Sequence, residues 1–321
     1  MTPEFEKKVT GAIFGYTTAD ALGVPVEFNS RLMLDLKPVV DMREFGTYNQ
    51  PKGTWSDDST MTLCTMEALI KELDYDAIMK RFLLWIEEGY MTPHDEVFDI
   101  GVTTREAMMR YQRGVPALQC GGNQFNENGN GSLMRILPVA FHLYRSMGEN
   151  FSSKPAAYEI IHNVSSLTHA HPISLIACGI YCAVAAELLN GANVYDGVKK
   201  GIAAAKKYYR SKIEFAQDLK LFARVDADKL LKCARSTIRS TGYVLYSLEA
   251  ALWCLLTTDN LKDCLLKAVN LGDDTDTVAA IAGGLAGIVY GEESIPAEWM
   301  DVLAKKELIR MICKDFCDQN E

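Results

Sequence analysis

A chain of 321 residues, 48% hydrophobic and 23% charged, has the composition of an ordinary globular protein, long enough to bury a full core and too apolar for disorder. Its formal charge of −9, from 42 acidic against 33 basic residues, argues against a surface that draws nucleic acid or anionic lipid by long-range attraction. A phosphate-bearing ligand would need local help, from a bound cation or a helix N-terminus.

The N-terminal MTPEFEKKVTGAIFG carries acids and lysines where a secretion signal has a basic end and an apolar run, so the sequence reads as a cytoplasmic protein. Apolar residues then recur at helical spacing, first at Phe5, Val9 and Ile13, and period-two strands are scarce. The pattern predicts an all-α fold. Pro25 is expected to end or kink the first helix and to expose the residues after it, among them Glu27, an acid in an apolar stretch. Such a residue is either a solvated helix-end acid or one with a charged partner in a cleft.

The run Gly53-Thr-Trp-Ser56-Asp57-Asp58-Ser-Thr60 leads into a helical stretch with Met61, Cys64 and Ala68 on one face. One Asp or Ser would serve as an N-cap, but two adjacent carboxylates beside three hydroxyls exceed what a cap needs. The Gly121–Arg135 stretch is a Gly/Asn-rich loop entering an apolar helix; it is either a plain turn or a set of free N–H groups suited to a phosphate or sugar oxygen. In Ser166-Leu-Thr168-His169-Ala-His171-Pro172, Pro172 fits a first helical turn and His171 its cap. Two histidines without a carboxylate partner make a poor zinc site. The apolar run Ile173–Leu189 is broken by Ser174, Gly179 and Glu187 and is short for a membrane span, which favours a buried helix.

The nine cysteines are scattered, with Cys178/Cys182 and Cys313/Cys317 at helical spacing, as expected of reduced core thiols. Near the C-terminal end, Asn270-Leu-Gly272-Asp273-Asp274-Thr-Asp276-Thr277 opens a second Ala/Gly-rich helix. Its three carboxylates repel one another unless solvated or neutralised, and so apolar a helix should start near the interior. Oxygen-only donors in both acidic runs select Mg²⁺, Mn²⁺ or Ca²⁺ over Zn²⁺. If the runs meet, their carboxylates can hold two ions. No linker or repeat divides the chain, so residues 1–321 are expected to form a single domain.

Taken together, these runs resemble the ADP-ribosylglycohydrolase family over nearly the whole chain. The resemblance is carried by Gly11-Ala-Ile-Phe-Gly15, Asp20-Ala-Leu-Gly-Val-Pro-Val-Glu27-Phe28, Trp55-Ser-Asp-Asp-Ser-Thr-Met61, Gly129-Asn-Gly-Ser-Leu-Met-Arg135, Thr168-His169, Gly242-Tyr243 and Gly272-Asp-Asp-Thr-Asp-Thr277. It implies an orthogonal helical bundle with two Mg²⁺ or Mn²⁺ ions in a central cleft. By position, Ser56, Asp57, Asp58, Asp274, Asp276 and Thr277 would be metal ligands, and Glu27, Asp57 and Asp58 catalytic. Asn130, Gly131, Ser132, His169, Gly242 and Tyr243 would touch ribose and diphosphate.

The implied partner is an ADP-ribosylated protein or small ADP-ribosyl conjugate, with arginine the favoured linkage, acted on by a monomer without membrane or nucleic-acid contact. Serine or O-acetyl linkages, an ADP-ribose-binding module without catalysis and a nucleotide phosphohydrolase are the competing readings. Three positions depart from the family pattern: Ala19 and Asp273 stand where Gly is common, and Ser56 where Thr is common.

Overall fold

The computed structural model describes residues 2–318, and its architecture is helical throughout; among the described residues β pairing is confined to isolated bridges. The fold is all-α, as its periodicity predicts. Its axis is a pair of helices, Pro3–Gly23 and Thr275–Tyr290, packed along each other. The first starts on Thr2, whose hydroxyl accepts from Phe5 N, with Pro3 in the first turn where a missing N–H costs nothing.

Both helices are buried all round over long stretches, from Gly11 to Gly23 and from Thr275 to Ile288. Small residues allow the close approach: a Cβ on Gly287 would lie 2.1 Å from the Gly11 carbonyl oxygen, and one on Gly15 would lie 2.6 Å from that of Gly283. Burying the start of the Thr275–Tyr290 helix brings its acidic residues inside the protein.

Around this pair stand the Asp57–Ala68, Leu137–Met147, Pro172–Leu189, Val244–Leu256 and Leu261–Val269 helices. Pro172–Leu189 is long and apolar enough to cross a membrane, yet 83% of it is buried against its neighbours. His171 caps it, its ring accepting from Ile173 N. All nine cysteines are free, and only Cys233 is more than slightly accessible.

The expectation at Pro25 needs correction. The first helix ends at Gly23, Val24–Val26 form one 3₁₀ turn, and Glu27 is buried, 4% exposed, while Phe28 points outward. The chain turns Glu27 inward because its backbone is tied on both sides: Thr47 Oγ1 donates to Glu27 O at 2.7 Å, and Phe28 N donates to Asp273 O at 2.7 Å.

Gly23 fixes how the two ends of the helix pair meet. A Cβ there would sit 2.3 Å from the Asp276 backbone, which has no room to yield. Gly23→Ala is therefore expected to destabilise the protein by about 1–3 kcal/mol, as overpacking does, and to displace Asp276. Denaturant melts of the variant test this; an unchanged midpoint would show that the junction is slack.

Candidate metal centre and ligand cleft

The Asp57–Ala68 helix opens with Ser56 as N-cap, its hydroxyl accepting from Asp58 N at 3.2 Å and donating to Asp58 Oδ2 at 3.2 Å. The entire helix start hangs on Asp20, a fully buried residue of the first helix. Asp20 accepts from Ser56 N, Ser59 N and the Ser59 hydroxyl at 2.6–3.0 Å. Across the cleft, Thr277 donates its hydroxyl to Asp58 Oδ2 at 3.1 Å and its backbone N–H to Asp276 Oδ1 at 2.9 Å. The two acidic runs, more than two hundred residues apart in sequence, thus meet directly.

Carboxylate oxygens of Asp20, Asp58 and Asp276 lie within 4.8 Å of one another, and so do those of Glu27, Asp99 and Asp276. Asp276 belongs to both groups. A third element, the Gly/Asn loop, closes the side: Asn130 Nδ2 donates to Asp274 Oδ2 at 2.7 Å and to Ser247 Oγ at 3.0 Å. Its backbone is paired with the Gly242–Val244 segment through Asn130 N to Gly242 O and Val244 N to Asn128 O, both 3.0 Å.

Glu27, Asp57, Asp99 and Asp274 line a cavity of about 260 Å³, whose wall also includes Asn130, Gly131, His169, Gly242 and Thr277. A larger groove of about 1210 Å³ shares Asn126, Gly129 and Gly242 with it and adds Tyr243, Tyr246 and Arg239.

Of the residues singled out in the sequence, most converge here. Ser56 reaches the cluster, although its hydroxyl is occupied in capping. Ser132 is turned away: it is fully buried, bonded to Ser165 at 2.9 Å and near Cys178 Sγ at 3.5 Å. Asp273 faces solvent, its backbone left-handed at φ 60°, so its extra charge lies outside the cluster.

No motif in the sequence marks Asp99. It sits in the irregular 93–101 segment, also with φ above zero, and no local spacing connects it to Glu27. Asp20 lies in a recognised motif, but its work as anchor of the Ser56–Ser59 turn is a tertiary fact.

So many buried carboxylates disfavour their own charge. Burial, then the charges of Asp99 and Asp274, push Glu27 up to about 9. Burial pushes Asp20 and Asp274 up to about 6 against the hydrogen bonds they accept. Asp57, Asp58 and Asp276 are driven well above the carboxylate range, by burial first and then by neighbouring acids.

Four carboxylate oxygens, Glu27 Oε2, Asp58 Oδ1, Asp274 Oδ1 and Asp276 Oδ2, are buried without a hydrogen-bond partner among the described residues. Among the described residues, no Lys or Arg lines the cavity. Unpartnered anionic oxygens at such density fit hard divalent cations, which take oxygen donors only and supply the missing charge.

Protons and cations therefore compete for these oxygens. A folded acid whose pKa is raised holds a proton that the unfolded chain gives up near pH ~4, so the cation-free protein binds more protons folded than unfolded. Its stability must then fall as pH rises from about 4 through about 6 and on towards 9. Melting temperatures with chelator should decline across that window, and added Mg²⁺ should flatten the curve. A chelated protein that gains stability over the same range would contradict the crowding.

Comparison with known proteins identifies the family. The ADP-ribosylglycohydrolase family profile matches residues 1–321. An ADP-ribosylarginine hydrolase, Tri1, of Serratia proteamaculans is 32% identical over 98% of this chain and 81% of its own length. The ADP-ribosyl-[dinitrogen reductase] glycohydrolase of Rhodospirillum rubrum is 26% identical over 97% and 96%. A solved structure described as an ADP-ribosylglycohydrolase-related protein complex superposes with a TM-score of 0.78 at 26% identity, covering 98% of both chains. With the acidic runs joined at one cleft and a match along its entire length, the chain belongs to the ADP-ribosylglycohydrolase family.

Proposed function

We propose that this chain is a divalent-cation-dependent hydrolase of ADP-ribosylarginine, using two Mg²⁺ or Mn²⁺ ions held between the acidic runs. The observation that carries the reading is the set of partnerless oxygens of Glu27, Asp58, Asp274 and Asp276, brought together from three separate elements beside a cavity that Glu27 and Asp274 line. The Serratia relative, an ADP-ribosylarginine hydrolase, supports arginine as the linkage.

Asp58, Asp274 and Asp276 would hold the ions, with Asp20, Ser56 and Thr277 fixing their orientation. Bound there, the ions would neutralise the cleft, orient ribose hydroxyls and lower the pKa of a water.

The protein's own groups do the rest. Glu27 takes the proton of the water whose oxygen attacks the anomeric carbon. As the carbon–nitrogen bond breaks, its electron pair goes to the leaving guanidine nitrogen, and Glu27 returns the proton it took from the water to that nitrogen. The helix Val102–Gln112 starts at the cavity on Gly101 without a side-chain cap, so its first N–H groups are free for a diphosphate oxygen. Asn130 and His169 bound the same space.

Incubation with defined ADP-ribosyl-arginine, ADP-ribosyl-serine and O-acetyl-ADP-ribose should release free ADP-ribose from the arginine conjugate with Mg²⁺ or Mn²⁺. Exhaustive chelation should abolish release and lower the melting temperature, because ions bound only by the folded state stabilise it. Release from the serine conjugate alone would reassign the linkage. AMP or inorganic phosphate as product would mean a phosphohydrolase, and intact conjugate bound without turnover a recognition module.

A further inference from the structure

Arg135 is a buried cation with no acidic partner among the described residues. Its side chain is fully buried and lies over the Phe82 ring at 5.0 Å, with Nε and Nη1 unpartnered. Only Nη2 is engaged, donating to Val164 O at 3.1 Å and to Thr168 Oγ1 at 2.7 Å. Burial lowers its pKa to about 10, which leaves it charged at neutral pH. A guanidinium without a counter-ion is an expensive way to fill a core position that Leu or Met would fill.

The charge ends on the cavity through two residues. Thr168, also fully buried, lies 2.9 Å by its hydroxyl from His169 Nδ1. A guanidinium only donates, so Thr168 must accept from Arg135, and its own hydrogen needs another acceptor. His169 Nδ1 is the acceptor within reach. Were Nδ1 protonated, the Thr168 oxygen would receive two hydrogens and its own would be buried without a partner. The hydrogen count therefore puts the imidazole proton on Nε2.

That nitrogen faces the cavity. A Cβ on Gly129 would lie 3.5 Å from His169 Nε2, and one on Gly131 would lie 2.8 Å from Cε1, so these glycines leave the ring edge uncovered. His169 shares the wall with Asn130, Gly242 and Asp274. The backbone is pinned independently of the hydroxyl, by His169 N to Ser165 O at 2.8 Å and Gly122 N to Thr168 O at 2.9 Å. Burial, with Arg135 adding to it, holds the ring neutral by lowering its pKa to about 3.

We propose that Arg135 and Thr168 are positioning residues that lock His169 as the Nε2–H tautomer, presenting a neutral donor to a ribose or phosphate oxygen of the ligand. The identity of that ligand rests on the proposed function; the tautomer does not. A neutral donor at this point favours an oxygen acceptor and disfavours an ammonium or guanidinium there, so it helps fix which end of the ligand lies against the Gly129–Gly131 loop.

The test is a nitrogen-15 spectrum of the histidine rings in the ligand-free protein, with the His169 signal assigned by its loss in His169→Gln. The wild type should show Nδ1 unprotonated and Nε2 protonated. Thr168→Val, which keeps shape and removes the hydroxyl, should free the ring to populate both tautomers and weaken ADP-ribose binding by about 2–10-fold, the worth of one neutral hydrogen bond. Thr168→Ser should restore both readouts. An Nδ1–H or doubly protonated ring in the wild type, or Thr168→Val with the wild-type tautomer and affinity, overturns the proposal. If the wild type binds no ADP-ribose at all, the functional reading fails while the tautomer spectrum still decides the relay.

Discussion

Asp58→Ala and Asp276→Ala are each expected to lower turnover by roughly 10³-fold or more, and the double variant should be little worse than either alone. Residues that hold one catalytic unit are grossly non-additive, because the first loss already dismantles what the second would remove. The geometry makes that prediction specific. Asp58 receives the Thr277 hydroxyl, and Asp276 belongs to both carboxylate triads, so removing either disturbs the oxygens of the other. In stability the sign is opposite: each of these acids must take up a proton on folding at neutral pH, a cost that alanine removes, so each variant in chelator should melt no lower than the wild type. Steady-state rates and melts on the single and double variants separate the cases. Losses that multiply would place the two acidic runs in independent sites.

Much of this acidic cluster is legible in the sequence because its carboxylates come in contiguous runs. Ser56-Asp57-Asp58 and Asp274-Thr275-Asp276-Thr277 each sit at a helix start, where turn residues, caps and the onset of helical periodicity mark the boundary. The burial of the second run also follows from the Ala/Gly-rich helix behind it. Asp99 escapes because the 93–101 segment has no period and meets Glu27 only through the fold.

The Ser132 side chain departs from the cleft for a related reason. Proximity to Asn130 in sequence suggests a shared role, but Asn130 aims its amide at Asp274 while Ser132, in the next turn, faces Ser165 and the core. Asp273 is separated from its acidic neighbours by a left-handed backbone, φ 81° at Gly272 and 60° at Asp273, that turns one side chain out and the next one in. The Arg135–Thr168–His169 chain joins residues more than thirty positions apart, so spacing gives no sign of it.

Glu27→Gln is expected to reduce turnover by on the order of 10²–10⁴-fold, the usual contribution of a positioned proton acceptor. It should leave ADP-ribose binding close to native. The side chain is 4% exposed, Oε2 has no partner, and the nearest acids are Asp99 and Asp276, so the carboxylate is not a solvated helix end. Nor does the fold depend on its charge, since the backbone is held by Thr47 and Asp273 through main-chain groups that glutamine retains. Glutamine keeps the size and one carbonyl oxygen but cannot take up the water's proton. Without cation the variant should melt at or above the wild-type temperature, because a buried acid that must take up a proton on folding at neutral pH is replaced by an amide that need not. A structural Glu27 would show the reverse pattern, a lower melting temperature with a rate that recovers when stability is restored by Mg²⁺. Calorimetry with ADP-ribose, rates on ADP-ribosyl-arginine and melts in chelator distinguish the two. If Glu27→Gln turns over at the wild-type rate, the proton acceptor must be sought among the other carboxylates that line the same wall, Asp57, Asp99 and Asp274.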